Sequence, residues 1–267
     1  MDHRPVGVFD SGYGGLTAVR ALRRLLPEED IVFFADAGRA PYGPRPVEQL
    51  RRMAVQDLSL VGSFGVKLIL AACGTLSSNA SDLLGAYPLP CVGVLDATVR
   101  AVAASPESGP IGLIATEATV RSGAFVRALE KARPDRVCTS IACPDFVPLI
   151  ESGHFEADDP AVAEAAARYL QPLREQGVRT VLLGCTHYGL IAGAIRRFMG
   201  EDVRLVDAAA CAAETARDLL DSHGLRGGHG TLRCLTSGDP EVFAAHLPLF
   251  LGENVPAEIL STPIMEA

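Results

Sequence analysis

Two short stretches of the chain end alike: residues 68–75 read LILAACGT and residues 181–188 read VLLGCTHY. Each is an apolar run that delivers a cysteine, Cys73 or Cys185, with a threonine one or two residues later. A thiol titrates near pH 8.5, close enough to neutrality to serve as acid, base or nucleophile. Cys185 also has His187 two residues on, the pairing that activates a thiolate in cysteine hydrolases. A third run, VGVFDSGYGG, sets Asp10 and Ser11 ahead of a glycine-rich turn, and FADAGRAPYGP carries Asp36, Arg39, Tyr42 and Gly43 in a segment rich in turn residues.

These residues need elements to hold them. Short β-rich runs are expected at Val6–Phe9, Ile31–Ala35, Leu68–Ala72, Cys91–Leu95, Ile111–Ala115, Arg136–Ile141, Thr180–Leu183 and Arg204–Val206, with helical stretches between. LTAVRALRRLL, from Leu16, repeats apolar residues at three- and four-residue intervals. A second helix opens at Pro160 after Asp158 and Asp159, and Pro172 is expected to bend or divide it. Such alternation implies an α/β fold of parallel sheets flanked by helices, where ligands bind beyond the carboxyl ends of the strands. Both cysteines and Asp10 fall there, which points to two related α/β units facing one another. SPESGP, at 105–110, and RGGHG, at 226–230, read as connections.

Bulk composition narrows the function classes. With 267 residues, 48% hydrophobic and 21% charged, the chain can build a full core. A net charge of −8 without any long basic run argues against a nucleic-acid or anionic-membrane surface. No apolar run reaches the roughly 20 residues needed to span a bilayer. The N-terminus enters a strand without an export signal, so a cytoplasmic location is expected. The seven cysteines suit reduced thiols, and Cys138 and Cys143 lack the second close pair of a zinc site. Gly12 and Gly14 belong to neither a dinucleotide fingerprint nor a P-loop. Only Lys67 and Lys131 are available as lysines, and neither is well placed to carry pyridoxal phosphate.

In the order DSGYGG, APYG, AACGT and GCTHY, joined by ATEATVRSGAF at 115–125, ACPDFVPLIESG at 142–153 and SGDPEVF near the end, the sequence resembles the glutamate racemase family. That family is a cofactor-independent branch of the aspartate/glutamate racemase superfamily. The resemblance implies two pseudo-symmetric α/β domains, placed here at 1–96 with 208–267 and at 97–207, with the active site between them. It implies a homodimer, glutamate as substrate and no cofactor. Carried over by position, Cys73 and Cys185 are the two bases, with Cys73 serving D-glutamate and Cys185 serving L-glutamate. Asp10, His187 and Glu151 assist, with Asp10 or Glu151 expected beside Cys73. Substrate contacts fall on Asp10, Ser11, Pro41, Tyr42, Gly43, Gly74, Thr75, Thr186 and His187.

The chain departs from the family at Gly74, where Asn is usual, and at Gly189, where Pro is usual. Gly74 removes an amide, and Gly74→Asn is expected to lower KM or leave it unchanged. The alternatives are an aspartate or broader acidic amino-acid racemase, a decarboxylase, which needs only one of the two thiols, and a cysteine hydrolase, which leaves Cys73 and Asp10 unexplained. A protein-binding role, such as the DNA gyrase inhibition known in the family, would be favoured by loss of a thiol. Tyr188 is read as lining the site or lying in the core.

Overall fold

The computed structural model describes residues 1–252 and 255–262. Its first stretch alternates β1 (Val6–Asp10), α1 (Leu16–Leu25), β2 (Ile31–Ala35), α2 (Val47–Gly62), β3 (Leu68–Ala71), α3 (Gly74–Asn79), α4 (Ser81–Ala86), β4 (Cys91–Gly93) and α5 (Val94–Ala103). A second series follows: β5 (Ile111–Ala115), α6 (Glu117–Ser122), α7 (Ala124–Ala132), β6 (Cys138–Ala142), α8 (Phe146–Glu151), α9 (Pro160–Glu175), β7 (Thr180–Leu183), α10 (Ala192–Met199) and β8 (Arg204–Asp207). The chain closes with α11 (Ala208–Ser222), β9 (Leu232–Thr236), α12 (Pro240–Leu251) and β10 (Glu258–Ser261).

Two wholly parallel sheets result, ordered β10-β9-β2-β1-β3-β4 and β6-β5-β7-β8. The central strands β1, β2, β3, β5 and β7 are buried at every position, as expected when helices cover both faces. The second sheet repeats the order of four consecutive strands of the first, ending at its β4 edge: β2-β1-β3-β4 corresponds to β6-β5-β7-β8. Register repeats too. Val6 pairs with Leu68 and Ile111 with Thr180, so each cysteine lies five residues beyond the corresponding partner, on the strand next to the point where strand order reverses.

Local sequence explains most boundaries. In α1, Leu16, Val19 and Leu22 face the core while Arg23 and Arg24 occupy its last turn. Asp159 caps α9 by accepting from the amides of Ala161 and Val162, with Pro160 at the first position. Of the two outcomes expected at Pro172, division does not occur: the helix runs unbroken through it, with Leu170 and Leu173 fully buried on either side. β4 is shorter than expected because Val94 and Leu95 already form the first turn of α5. β6 begins later because Arg136 belongs to the preceding turn, donating to Gly109 O and to Thr180 Oγ1 at 2.8 Å each. Strands β9 and β10 have no counterpart in the sequence reading: LRCLT is short and carries an exposed Arg233, and β10 is an edge strand that is largely exposed. Among the described residues no helix is long and apolar enough to cross a membrane.

Candidate active site

The carboxyl ends of both sheets open on one cavity of about 470 Å³. Asp10, Ser11, Pro41, Tyr42, Gly43, Cys73, Gly74 and Thr75 line it from the six-stranded sheet, and Glu151, Cys185, Thr186 and His187 line it from the other.

Cys73 ends the segment after β3 and stands at the N-cap of α3. Its thiol donates to Ser11 Oγ at 3.4 Å, and Ser11 Oγ makes a long contact of 3.5 Å to Asp10 Oδ1. Asp10 is almost fully buried at the end of β1 and accepts from the amide of Gly12 at 2.9 Å. Burial raises its carboxyl to about 6, although the nearby His187 charge and the amides of Gly12 and Gly15 oppose the shift. Burial, reinforced by the Asp10 charge, pushes the Cys73 thiol up to about 12.

Cys185 follows β7 and leads into a 3-10 turn, Thr186–Ile191. Its Sγ is 3.7 Å from His187 Nδ1, and His187 Nε2 is 3.0 Å from Glu151 Oε1 at the end of α8. Burial works against a charged imidazole, but Cys185 and Glu151 outweigh it and lift His187 to about 10. An imidazolium has an N–H for each of these partners. Glu151 therefore lies with His187 on the Cys185 side and not beside Cys73, while Asp10 is the carboxylate that accompanies Cys73. The two thiols thus have unlike retinues, a hydroxyl and carboxyl for one and an imidazolium and carboxylate for the other.

Two further walls hold the imidazole. Phe250 of α12 meets it edge to face, with ring centroids 5.5 Å apart. On another side, a β-carbon on Gly14 would lie 2.3 Å from His187 Nδ1, so the second glycine of DSGYGG leaves room for the ring. Hydroxyls tie the two sheets together: Thr75 Oγ1 and Thr116 Oγ1 are 2.9 Å apart, and Thr17 Oγ1 donates to Thr186 O at 3.0 Å.

Tyr42 is among the residues lining the cavity, but its side chain is buried and its hydroxyl bonds Asp36 within the protein. Tyr188 is buried, donates to Cys143 O at 2.8 Å and also borders the cavity, so both readings of it hold. Lys67 is buried against Glu29 at 2.5 Å, in an ion pair outside the cavity lining. Among the described residues no group of three or more His, Cys, Asp or Glu side chains is disposed to hold a metal ion.

Thr116 and Tyr13 also line the cavity without having been singled out from the sequence, and Cys143, weighed there only as a zinc ligand, lines it too. Thr116 had a legible signal. IGLIAT at 111–116 parallels VGVFDS at 6–11, so Thr116 takes in the second sheet the place that Ser11 takes in the first.

The sequence pattern of the Asp/Glu/hydantoin racemase family matches residues 17–216. The chain is 42% identical over 271 residues to a glutamate racemase of Beutenbergia cavernae, an alignment covering 96% of this chain and 92% of that protein. The structure of a glutamate racemase isoform from Bacillus anthracis superposes with a TM-score of 0.92 at 29% identity, over 99% of this chain and 100% of that one. A glutamate racemase from Francisella tularensis in complex with D-glutamate gives a TM-score of 0.87 at 32% identity, over 97% of both chains. With this likeness running through sequence and both sheets, the chain belongs to the Asp/Glu/hydantoin racemase family and is an amino-acid racemase of its glutamate racemase branch.

Proposed function

We propose that the protein interconverts L-glutamate and D-glutamate by proton transfer at Cα between two thiols, one on each face of the substrate. The observation that carries this reading is the pair of cysteines at equivalent positions of two like-ordered sheets, lining one cavity. Inverting a carbon centre needs a base on one face and an acid on the other, and two-fold related strand ends supply such a pair with little motion. Among the described residues, those of 1–96 and 208–267 make one catalytic half and those of 97–207 the other. In the L-to-D direction Cys185, as thiolate beside the His187 imidazolium, takes the α-proton, and Cys73, as thiol, delivers another to the opposite face. The reverse reaction exchanges the roles. Asp10 through Ser11, and Glu151 through His187, adjust the charge on each thiol. The hydroxyls of Ser11, Thr75 and Thr186 are donors for the substrate carboxylates and for charge developing at Cα. The chemistry calls on no cofactor, and D-glutamate would serve peptidoglycan synthesis.

Circular dichroism of purified protein with L-Glu, D-Glu, L-Asp and L-Gln, without added cofactor, tests the reading. Loss of signal is expected to be fastest with glutamate; faster racemisation of aspartate would sink the substrate assignment.

A further inference from the structure

The core stripe of α2 contains a residue that does not belong to an apolar surface. Leu50, Met53, Ala54, Leu58 and Val61 are buried along this helix, and Asp57 sits among them with no exposed surface. A carboxyl in such a place costs free energy unless it is paired. Asp57 Oδ1 accepts from Arg39 Nη2 at 2.9 Å, and Asp57 Oδ2 lies 3.4 Å from the Tyr42 hydroxyl oxygen. Both also bind Asp36: Arg39 Nε is 2.5 Å from Asp36 Oδ2, and the single phenolic proton of Tyr42 is donated to that same oxygen. Asp36 closes the group by accepting from Ser237 Oγ at 2.6 Å and donating its amide to Asp10 O at 2.9 Å.

The segment above this network, Ala40 to Pro44, borders the cavity without regular secondary structure. Arg45 braces the segment from outside by donating to the carbonyls of Pro41 and Arg39, and Tyr42 is its only side chain rooted in the core, so its inner anchor is the Tyr42 hydroxyl and what holds it. A buried ion cluster is a poor source of stability, because desolvation cancels most of its Coulomb energy. What it supplies is direction: Arg39 and two carboxyls fix one orientation of the phenol, where an apolar pocket would accept several.

We infer that Asp57, which stands behind the cavity lining, is a positioning residue for substrate binding, acting through Arg39 and Tyr42 on the Pro41–Gly43 segment. This rests on the proposed glutamate racemisation. Asp57 touches neither substrate nor thiols, so its loss should loosen the binding surface and leave proton transfer at the cysteines largely intact.

The test compares wild type, Asp57→Leu, Tyr42→Phe and the double variant by circular dichroism kinetics with both enantiomers, alongside thermal unfolding. For Asp57→Leu, KM is expected to rise about tenfold for both enantiomers with kcat within about threefold, and Tm to fall, because removing one member of a buried ion cluster leaves Arg39 with less compensation. Tyr42→Phe should reproduce the KM effect, and the double variant should be no worse than the more affected single one, because both break one linkage. Unchanged KM with a lower Tm would make the cluster fold support only, and a fall in kcat at unchanged KM would place Asp57 in the chemistry. Either result overturns the inference. Should Asp57→Leu not fold, Tyr42→Phe, which removes a single oxygen, decides alone. A wild type that racemises a different amino acid overturns the substrate reading, while the same KM comparison made with that amino acid still decides on Asp57.

Discussion

Gly74 and Gly184 meet backbone to backbone between the two sheets: a β-carbon built on Gly74 would lie 2.2 Å from the carbonyl oxygen of Gly184. Each glycine adjoins one of the two cysteines, so this contact limits how closely Cys73 and Cys185 approach. A glycine that looked in the sequence like the loss of an amide is, in the fold, a contact between catalytic halves. Gly74→Asn is therefore expected to lower kcat by about tenfold or more, since small misplacements of reacting groups are costly, and not to improve KM. Gly74→Ala should lose activity in the same direction. Tighter glutamate binding by Gly74→Asn at full kcat would show that the sheets give way easily.

Replacement of either thiol should stop both directions. Cys73→Ser and Cys185→Ser are each expected to fall by at least about 10²-fold, the lower range for general acid–base catalysis. Because enantiomers have equal free energy, kcat/KM must be the same from either side, so one-directional activity cannot survive. In D₂O, starting from L-glutamate, deuterium should appear in the D-product while unreacted L-glutamate stays protonated early. Early labelling of both enantiomers would mean a single shared base.

His187 makes stability depend on pH. Its pKa in the fold is about 10 against an ordinary 6.5, so the native state holds the proton more tightly. The resulting stabilisation is complete below pH 6.5 and is lost as pH rises toward 10. Asp10, raised from 3.8 to about 6, acts with the same sign over that lower interval. Tm of the wild type is expected to decline between pH 6.5 and 10, and less steeply in His187→Gln. Equal slopes would remove the charged imidazole from the resting site.

Glu151 is one of the groups that keep His187 charged. Glu151→Gln should therefore move the alkaline limb of the kcat/KM profile to lower pH relative to wild type, the substrate amine contributing equally to both. An unmoved limb would assign it to another group.

Gly14 should resist even a methyl group. With His187 Nδ1 only 2.3 Å from the added β-carbon, Gly14→Ala is expected to displace the imidazole from Cys185 and cost about 10-fold or more in kcat with the fold retained. Near-normal kcat would show that the ring has room to move.

The sequence by itself determined the alternation of strands and helices, the strand ends that carry Asp10, Cys73 and Cys185, and the family. Burial and turn chemistry leave a local period in the chain, and a residue at the carboxyl end of a buried strand is displayed there whatever surrounds it. Only the tertiary structure decided which group assists which thiol. Glu151 and His187 are 36 positions apart and Thr186 O meets Thr17 across 169, contacts set by sheet order and helix crossing. The same holds for Tyr42, whose hydroxyl faces Asp36 and Asp57 instead of the cavity, and for Gly74, whose missing side chain makes room for Gly184. β9 joins its sheet beside β2, a strand far back in the sequence, so its own short pattern carried too little of the information. Local physics fixed which residues stand at the strand ends, while their partners come from segments that meet only once both sheets have formed.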